Sequence, residues 1–265
     1  QRSAHRRPMP TAGGLGIIAG FWFGAAVLWL GQAGHGANPP RAAGLAAGTA
    51  VLAAMVWDDL VRPLRATEKL ALIGLAVAAW LLLAAVPPRL LLAAGYELTW
   101  PLAVAVICLV WFCGLTTACN FMDGIDGIVS IHAVATGVAR AVLLGMTGGP
   151  WGLPLCLAAA AAGFLLLNRP PARMFMGDVG AHFIGFVLAA TGIAGACAGL
   201  PLWMAGVLNG VFLFDTGYTV LRRAWRREDL LQAHQKHLYQ RLVRCGLSFG
   251  QVDAGVLALD ALLAA

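Results

Sequence analysis

Long apolar runs alternate along this chain with short polar segments. Eight runs reach or approach the roughly 20 residues that a helix needs to cross a bilayer: Ala12 to Gly31, Ala43 to Trp57, Lys69 to Val86, Pro101 to Cys119, Gly127 to Met146, Gly152 to Asn168, Ala181 to Gly199 and Leu202 to Leu221. A ninth candidate starts near Phe249. Several runs are rich in Ala and Gly, which suits close helix packing in lipid. The pattern predicts an all-α, polytopic membrane bundle of eight to nine helices, formed by one domain over residues 1–265, with no internal repeat and no separate soluble domain.

Composition agrees. Of 265 residues, 60% are hydrophobic and 11% charged, against about 25% charged in soluble domains. That excludes a soluble globular protein, and the low charge excludes a disordered one. The six cysteines lie mostly within apolar runs and form no C-x-x-C pair, so they read as small buried hydrophobes rather than disulfides or zinc ligands. The net charge of +6 does not indicate a nucleic-acid partner, because no soluble basic domain exists to carry one.

Eight spans sort the loops into two sets. One holds the N-terminus, Asp58 to Glu68, Asn120 to Asp126, Arg169 to Gly180 and Arg222 to Ser248; with Lys69 at the adjoining helix end it carries 15 Lys and Arg, against two (Arg41 and Arg89) in the other. The asymmetry puts the first set in the cytoplasm. The first segment, Gln1 to Thr11, is basic and lacks an apolar region, so it is not a signal peptide; an upstream piece is expected to be missing.

The twelve acids are few enough to place one by one. Asp58, Asp59, Asp123, Asp126 and Asp178 all fall at the cytoplasmic boundary, Asp215 sits about two turns inside the eighth span on the same side, and only Glu97 joins the opposite loops. Short Asp side chains beside Gly suit a phosphate or metal that approaches the backbone closely. With no soft co-ligands, the expected metal is hard: Mg²⁺, with Mn²⁺ as alternative. Adjacent Asp58 and Asp59 would point about 100° apart on a helix and so do different jobs. Asp123 and Asp126 would share a face only if the helix continued past Gly124. Asp215 is a functional candidate because burying charge in lipid is costly; the plainer alternative is a partner for Arg222 or Arg223.

A transporter would gather ionisable groups near the midplane. One-sided acids favour instead an enzyme that meets a soluble substrate from the cytoplasm and a lipid substrate from the bilayer, an ion-coupled transporter being the alternative. In the last polar loop, H-Q-K-H-L-Y-Q-R-L sets His234, His237 and Arg241 at i, i+3 and i+7. As one face of a short helix they could grip a diphosphate, or bind anionic lipid. Gly14-x-Gly16-x-x-Ala19 formally fits a dinucleotide fingerprint, but it opens a span with no strand before it and reads as helix packing. His132 and Arg140 face other helices.

In order, R-S-A-H-R-R-P-M-P-T-A-G-G-L, W-D-D-L, N-F-M-D-G-I-D-G, F-M-G-D-V-G, F-D-T-G-Y-T-V-L-R-R and H-Q-K-H-L-Y-Q-R-L resemble the polyprenyl-phosphate N-acetylhexosamine-1-phosphate transferases, glycosyltransferase family 4. The resemblance runs from about Arg2 to Leu242. It implies that an undecaprenyl or other polyprenyl phosphate attacks the β-phosphorus of a UDP-N-acetyl sugar, releasing UMP and leaving a polyprenyl-diphospho-sugar in the bacterial inner membrane. It further implies Asp178 and Asp58 as metal ligands, with Asp58 and Asp59 assisting the attacking phosphate or orienting the metal. Asn120, Asp123 and Asp126 would position nucleotide and metal; His234, His237 and Arg241 would hold diphosphate or sugar, with Asp215 among the substrate-binding residues. The ending H-L-Y-Q-R-L is similar to the branch that initiates O-antigen and related polysaccharides, and a homodimer is compatible with it. Two departures stand out. Ala181, followed by His182, takes a position that is often Ser, and the family's first helix is not present in this sequence.

Overall fold

The computed structural model describes residues 9–11, 13–31, 39–84, 89–232 and 234–265. Most of the basic N-terminal segment, including Arg2, His5, Arg6 and Arg7, lies outside them.

Among the described residues twelve helices and one hairpin follow in chain order: α1 (Gly13–Gly31), α2 (Pro39–Ala53), α3 (Val56–Leu60), α4 (Ala66–Leu83), the antiparallel pair β1 (Leu90–Ala93) and β2 (Tyr96–Leu98), α5 (Pro101–Met122), α6 (Ile128–Met146), α7 (Gly152–Asn168), α8 (Gly177–Cys197), α9 (Leu202–Leu208), α10 (Gly210–Trp225), α11 (Leu238–Arg244) and α12 (Phe249–Ala264). The protein is an all-α, multi-pass membrane protein. Among the described residues six helical stretches are long and apolar enough to span, α2 and α3 counting together as Ala42–Leu60. The expected eighth span is a broken pair: α9 and α10 meet at 82°. Asn209 sits at that break, and its side chain donates to the Ala205 carbonyl at 2.8 Å. The α7 helix is shorter, at 17 residues.

One helix organises the bundle. Within α8, 94% of an 18-residue window is buried, against 22–56% for the other spans. It is apolar all round, the signature of a central helix. Its Phe183 meets Phe21 of α1, and Phe186 meets Phe112 of α5, at centroid distances of 5.3 and 4.9 Å. Glycines let neighbouring backbones close on it: Gly14 of α1 lies against Gly180, and Gly185 against the Leu115–Thr116 backbone. The first of these contacts is why G-G-L-G packs as a helix start rather than cradling a nucleotide. Outward positions on the peripheral spans carry exposed apolar residues such as Phe23, Leu82 and Val110, as lipid contact requires.

The polar ends are tied by backbone bonds. Phe175 donates to the Pro10 carbonyl at 2.9 Å, while Gly13 and Gly14 donate to the carbonyls of Phe175 and Met176 at 3.1 and 2.8 Å. The start of α1 is thereby bonded to the loop that leads into α8.

Candidate active site

The α8 N-terminus leaves amides without helical partners. Asp59, on α3, supplies the acceptors: its carboxylate takes the amides of Asp178 at 2.8 Å and Val179 at 3.2 Å. An anion here also faces the positive end of the helix dipole. Gly177 makes the fit possible. Its φ is +75°, and a Cβ there would run into the Thr11 carbonyl and the Asp59 carboxylate.

Asp58, one residue earlier, points elsewhere, as two successive helical positions must. One oxygen accepts the Leu64 amide; the other accepts Lys69 Nζ at 3.0 Å. The same ammonium bonds the Asp178 carboxylate. Asp58, Asp59 and Asp178 each bring a carboxylate oxygen within 4.8 Å of the others. With Lys69 the group carries three negative charges and one positive, and all its donors to a cation are hard oxygens. This chemistry fits a divalent cation.

Asp123 ends α5 and is half-buried beside this group. Burial, then the charges of Asp178, Asp59 and Asp126, push its carboxyl up to about 8. The helix does end here, so Asp123 and Asp126 do not share a helical face. Asp126 is buried and turned inward, with Oδ2 accepting the Ala172 amide at 2.8 Å. Asn120 lies one turn before Asp123 on α5.

The His segment differs from expectation. Helix α11 starts at Leu238, with His237 as its extended N-cap, so His234 precedes the helix and the i, i+3, i+7 face does not form. Instead the His234 and His237 rings stack at 4.9 Å, with Phe121 against both. Burial, then the positive charge of Arg223 and the nearby His237 and Lys236, holds His234 down at about 4; it is a neutral imidazole near pH 7. Arg241 is exposed. Asp215 is buried beneath this segment. Oδ1 accepts His237 Nδ1 and the Leu238 amide, and Oδ2 the Tyr239 amide, each at 3.0 Å. It therefore caps α11 in place of pairing with Arg222 or Arg223; Arg223 meets Glu228 at 3.2 Å.

Three residues join the site that the sequence reading passed over. Lys69 counted there only as a loop charge, although a lone Lys in the first turn of a span is a signal. Asn168 is buried and accepts the Gly127 amide at 3.1 Å and the Ser130 hydroxyl at 3.3 Å, while donating to the Met174 carbonyl at 3.0 Å. It ties the D-G-I-D-G loop to the loop before α8. Tyr239 donates its hydroxyl to the Phe121 carbonyl at 3.0 Å, and Gly124 leaves room for it. Beside Asp58 lies an apolar groove of ≈ 600 Å³, lined by Ala53, Val56, Trp57, Leu60, Leu64 and Leu72.

The profile of glycosyl transferase family 4 matches residues 42–196. That stretch contains the five boundary aspartates, Lys69 and Asn168, and stops before the His segment. A Bacillus subtilis protein named "probable undecaprenyl-phosphate N-acetylglucosaminyl 1-phosphate transferase" is 31% identical over 162 residues, 58% of this chain and 44% of that protein. A Streptomyces coelicolor protein whose name gives it as a glycosyltransferase is 35% identical over 254 residues, 92% of this chain and 56% of its own length. A phospho-N-acetylmuramoyl-pentapeptide-transferase of Thermosynechococcus vestitus is 33% identical over 224 residues, covering 78% and 56%. The chain spans about half the length of these relatives.

Proposed function

This chain belongs to glycosyl transferase family 4, and on that premise we propose that it transfers a sugar 1-phosphate from a UDP-N-acetylhexosamine to undecaprenyl phosphate. The products are a polyprenyl-diphospho-sugar and UMP. The observation that carries the proposal is the convergence of Asp58, Asp59 and Asp178 around Lys69 at the edge of an apolar groove. Such a place can receive a charged nucleotide sugar and a lipid chain together.

Phosphoryl transfer asks a protein mainly for positioning and charge neutralisation. Asp178 and Asp58 would hold Mg²⁺. When bound, the ion would offset the diphosphate charge and stabilise the leaving UMP. Asp59 fixes Asp178 by holding its amide. Lys69, already shared between two carboxylates, is placed to pass to an arriving phosphate oxygen. The acceptor phosphate is largely ionised near neutral pH, so its oxygen attacks the β-phosphorus without a proton first being removed by Asp58 or Asp59. Asp123 and Asn120 face the nucleotide side. Stacked His234 and His237, with Arg241 beyond, contact the sugar or diphosphate, His234 as a neutral donor. The groove takes the first isoprene units.

The site faces the cytoplasm of a bacterial inner membrane, as the 15-to-2 distribution of basic residues supports, and the product starts O-antigen or a related surface polysaccharide. Nothing favours the ion-coupled transporter: Asp215, its best candidate, has both oxygens occupied by α11. The test is UMP release by detergent-purified protein given undecaprenyl phosphate, Mg²⁺ and a panel of UDP-N-acetylhexosamines, with EDTA as control. Lipid-dependent, EDTA-sensitive UMP from one sugar is expected. Its absence with every sugar, in protein shown to be folded, would refute the proposal.

A further inference from the structure

Away from the carboxylates, one cation is buried with no counter-charge among the described residues. Arg140 of α6 is 2% exposed. Its Nη1 bonds the Leu188 carbonyl and the Thr191 hydroxyl, the latter at 2.9 Å. Its Nη2 has no partner, and among the described residues no carboxylate pairs with the guanidinium. Arg does not shed its proton in proteins, and an uncompensated charge in a low-dielectric interior is strongly unfavourable.

Arg140 lines a cavity of ≈ 20 Å³ between α6, α8 and α9, together with Thr191, Gly195, Leu200, Pro201 and Met204. Room for one water needs about 10–15 Å³, so this cavity admits a water or a monatomic ion. A water would satisfy an N–H but leave the charge. Six residues separate Arg140 from the last residue of α6, about 9 Å along the axis. Leu200 and Pro201 belong to the connection between α8 and α9. An ion from the face opposite the carboxylates therefore has a short path.

We propose that this cavity binds a single monovalent halide, chloride in the cell, whose charge compensates Arg140 and locks α9 against α6 and α8. The apolar remainder of the lining suits a weakly hydrated anion. The site is separate from the transferase reading and does not depend on it.

The test is the thermal unfolding midpoint of the detergent-purified full chain, with chloride exchanged for gluconate at constant ionic strength. The expected result is a saturable rise of about 3–6 °C at ten times the half-saturating concentration, reproduced by bromide and not by gluconate. Arg140→Gln should abolish the rise. Gly195→Ala gives a second arm that keeps the guanidinium. A Cβ there makes only ordinary contacts, at 3.5 Å to Leu144 and 3.7 Å to Leu200, but takes cavity space, so it should weaken chloride at least tenfold. Equal midpoints in chloride and gluconate for the unaltered protein would mean a water or an empty cavity and overturn the proposal. A chloride effect that persists undiminished in both variants would place the ion elsewhere, with the same consequence. If Arg140→Gln does not fold, the unaltered protein and Gly195→Ala decide.

Discussion

Asp59→Asn separates positioning from chemistry. The carboxylate accepts two amides of the first turn of α8, at 2.8 and 3.2 Å. An amide side chain keeps one acceptor oxygen and turns an NH₂ toward the other N–H. One donor is left unmatched at the end of a largely buried helix, and the negative charge facing the dipole is lost. A lost cap costs about 0.5–2 kcal/mol and an unsatisfied buried donor about 1–3 kcal/mol; because these overlap, the net loss is about 2–3 kcal/mol. At about 2–4 °C per kcal/mol for a chain of this size, the unfolding midpoint should fall by about 4–12 °C. Activity should fall too, because the displaced amide belongs to Asp178. The assay pairs thermal unfolding with UMP release, both with Asp178→Asn for comparison. A variant with the unaltered midpoint but no activity would refute the capping argument and make Asp59 a direct participant.

Asp178→Asn should reduce UMP release by at least about 10²-fold while moving the midpoint by less than Asp59→Asn does; full activity would remove Asp178 from the site. His234 gives a pH prediction with a definite sign. Held down at about 4, it binds fewer protons folded than unfolded between about pH 4 and its ordinary 6.5, so folding stability rises with pH across that window. His234→Gln should flatten that rise in unfolding midpoints measured from pH 4.5 to 7.5. The same shift means that substrate affinity should not improve as pH drops from 7.5 to 6, a KM measurement that a cationic His234 would contradict. Asn168→Ala should cost about 2–4 kcal/mol by orphaning the Gly127 amide and the Met174 carbonyl, and should lower kcat with little change in KM for the lipid.

Much of the fold was legible because apolar run length is a strong signal in lipid. The break at Asn209 was not, since L-N-G-V inside an apolar run carries no charge to mark it. The one-sided aspartates and the divergence of Asp58 from Asp59 followed from spacing alone. Their partners did not. That Asp59 reaches α8, or Asp126 the Ala172 amide, depends on contacts across more than 40 residues that no local pattern encodes. The His segment misled for a clear reason: i, i+3, i+7 spacing presumes a helix already begun, whereas His237 is where this one starts. Lys69 and Asn168 were overlooked because each is a single residue whose role is defined only by what the fold brings to it.

The aspartates divide into two kinds, and the division explains why Asp rather than Glu recurs. Asp59 and Asp215 give both oxygens to backbone amides, of α8 and α11, and Asp126 gives its Oδ2 to the Ala172 amide. They hold parts of the site in place through rigid main chain. Asp178 meets the Lys69 ammonium instead, Asp58 does both, giving one oxygen to the Leu64 amide and the other to Lys69, and Asp123 carries no side-chain hydrogen bond to the described residues. Amide capping across elements has a fixed reach, so one extra methylene pushes the carboxylate into the helix end or off it. Charge pairing with a flexible Lys or with an ion tolerates that displacement. Glutamate at 59, 126 or 215 should therefore lower the unfolding midpoint by several degrees, nearly as much as alanine does. Glutamate at 178 should leave the midpoint within about 2 °C and retain more UMP release than Asp178→Asn. If Asp59→Glu matches the unaltered protein in both readouts, the amides are not what fixes that side chain, and the division between holding and reacting carboxylates fails with it.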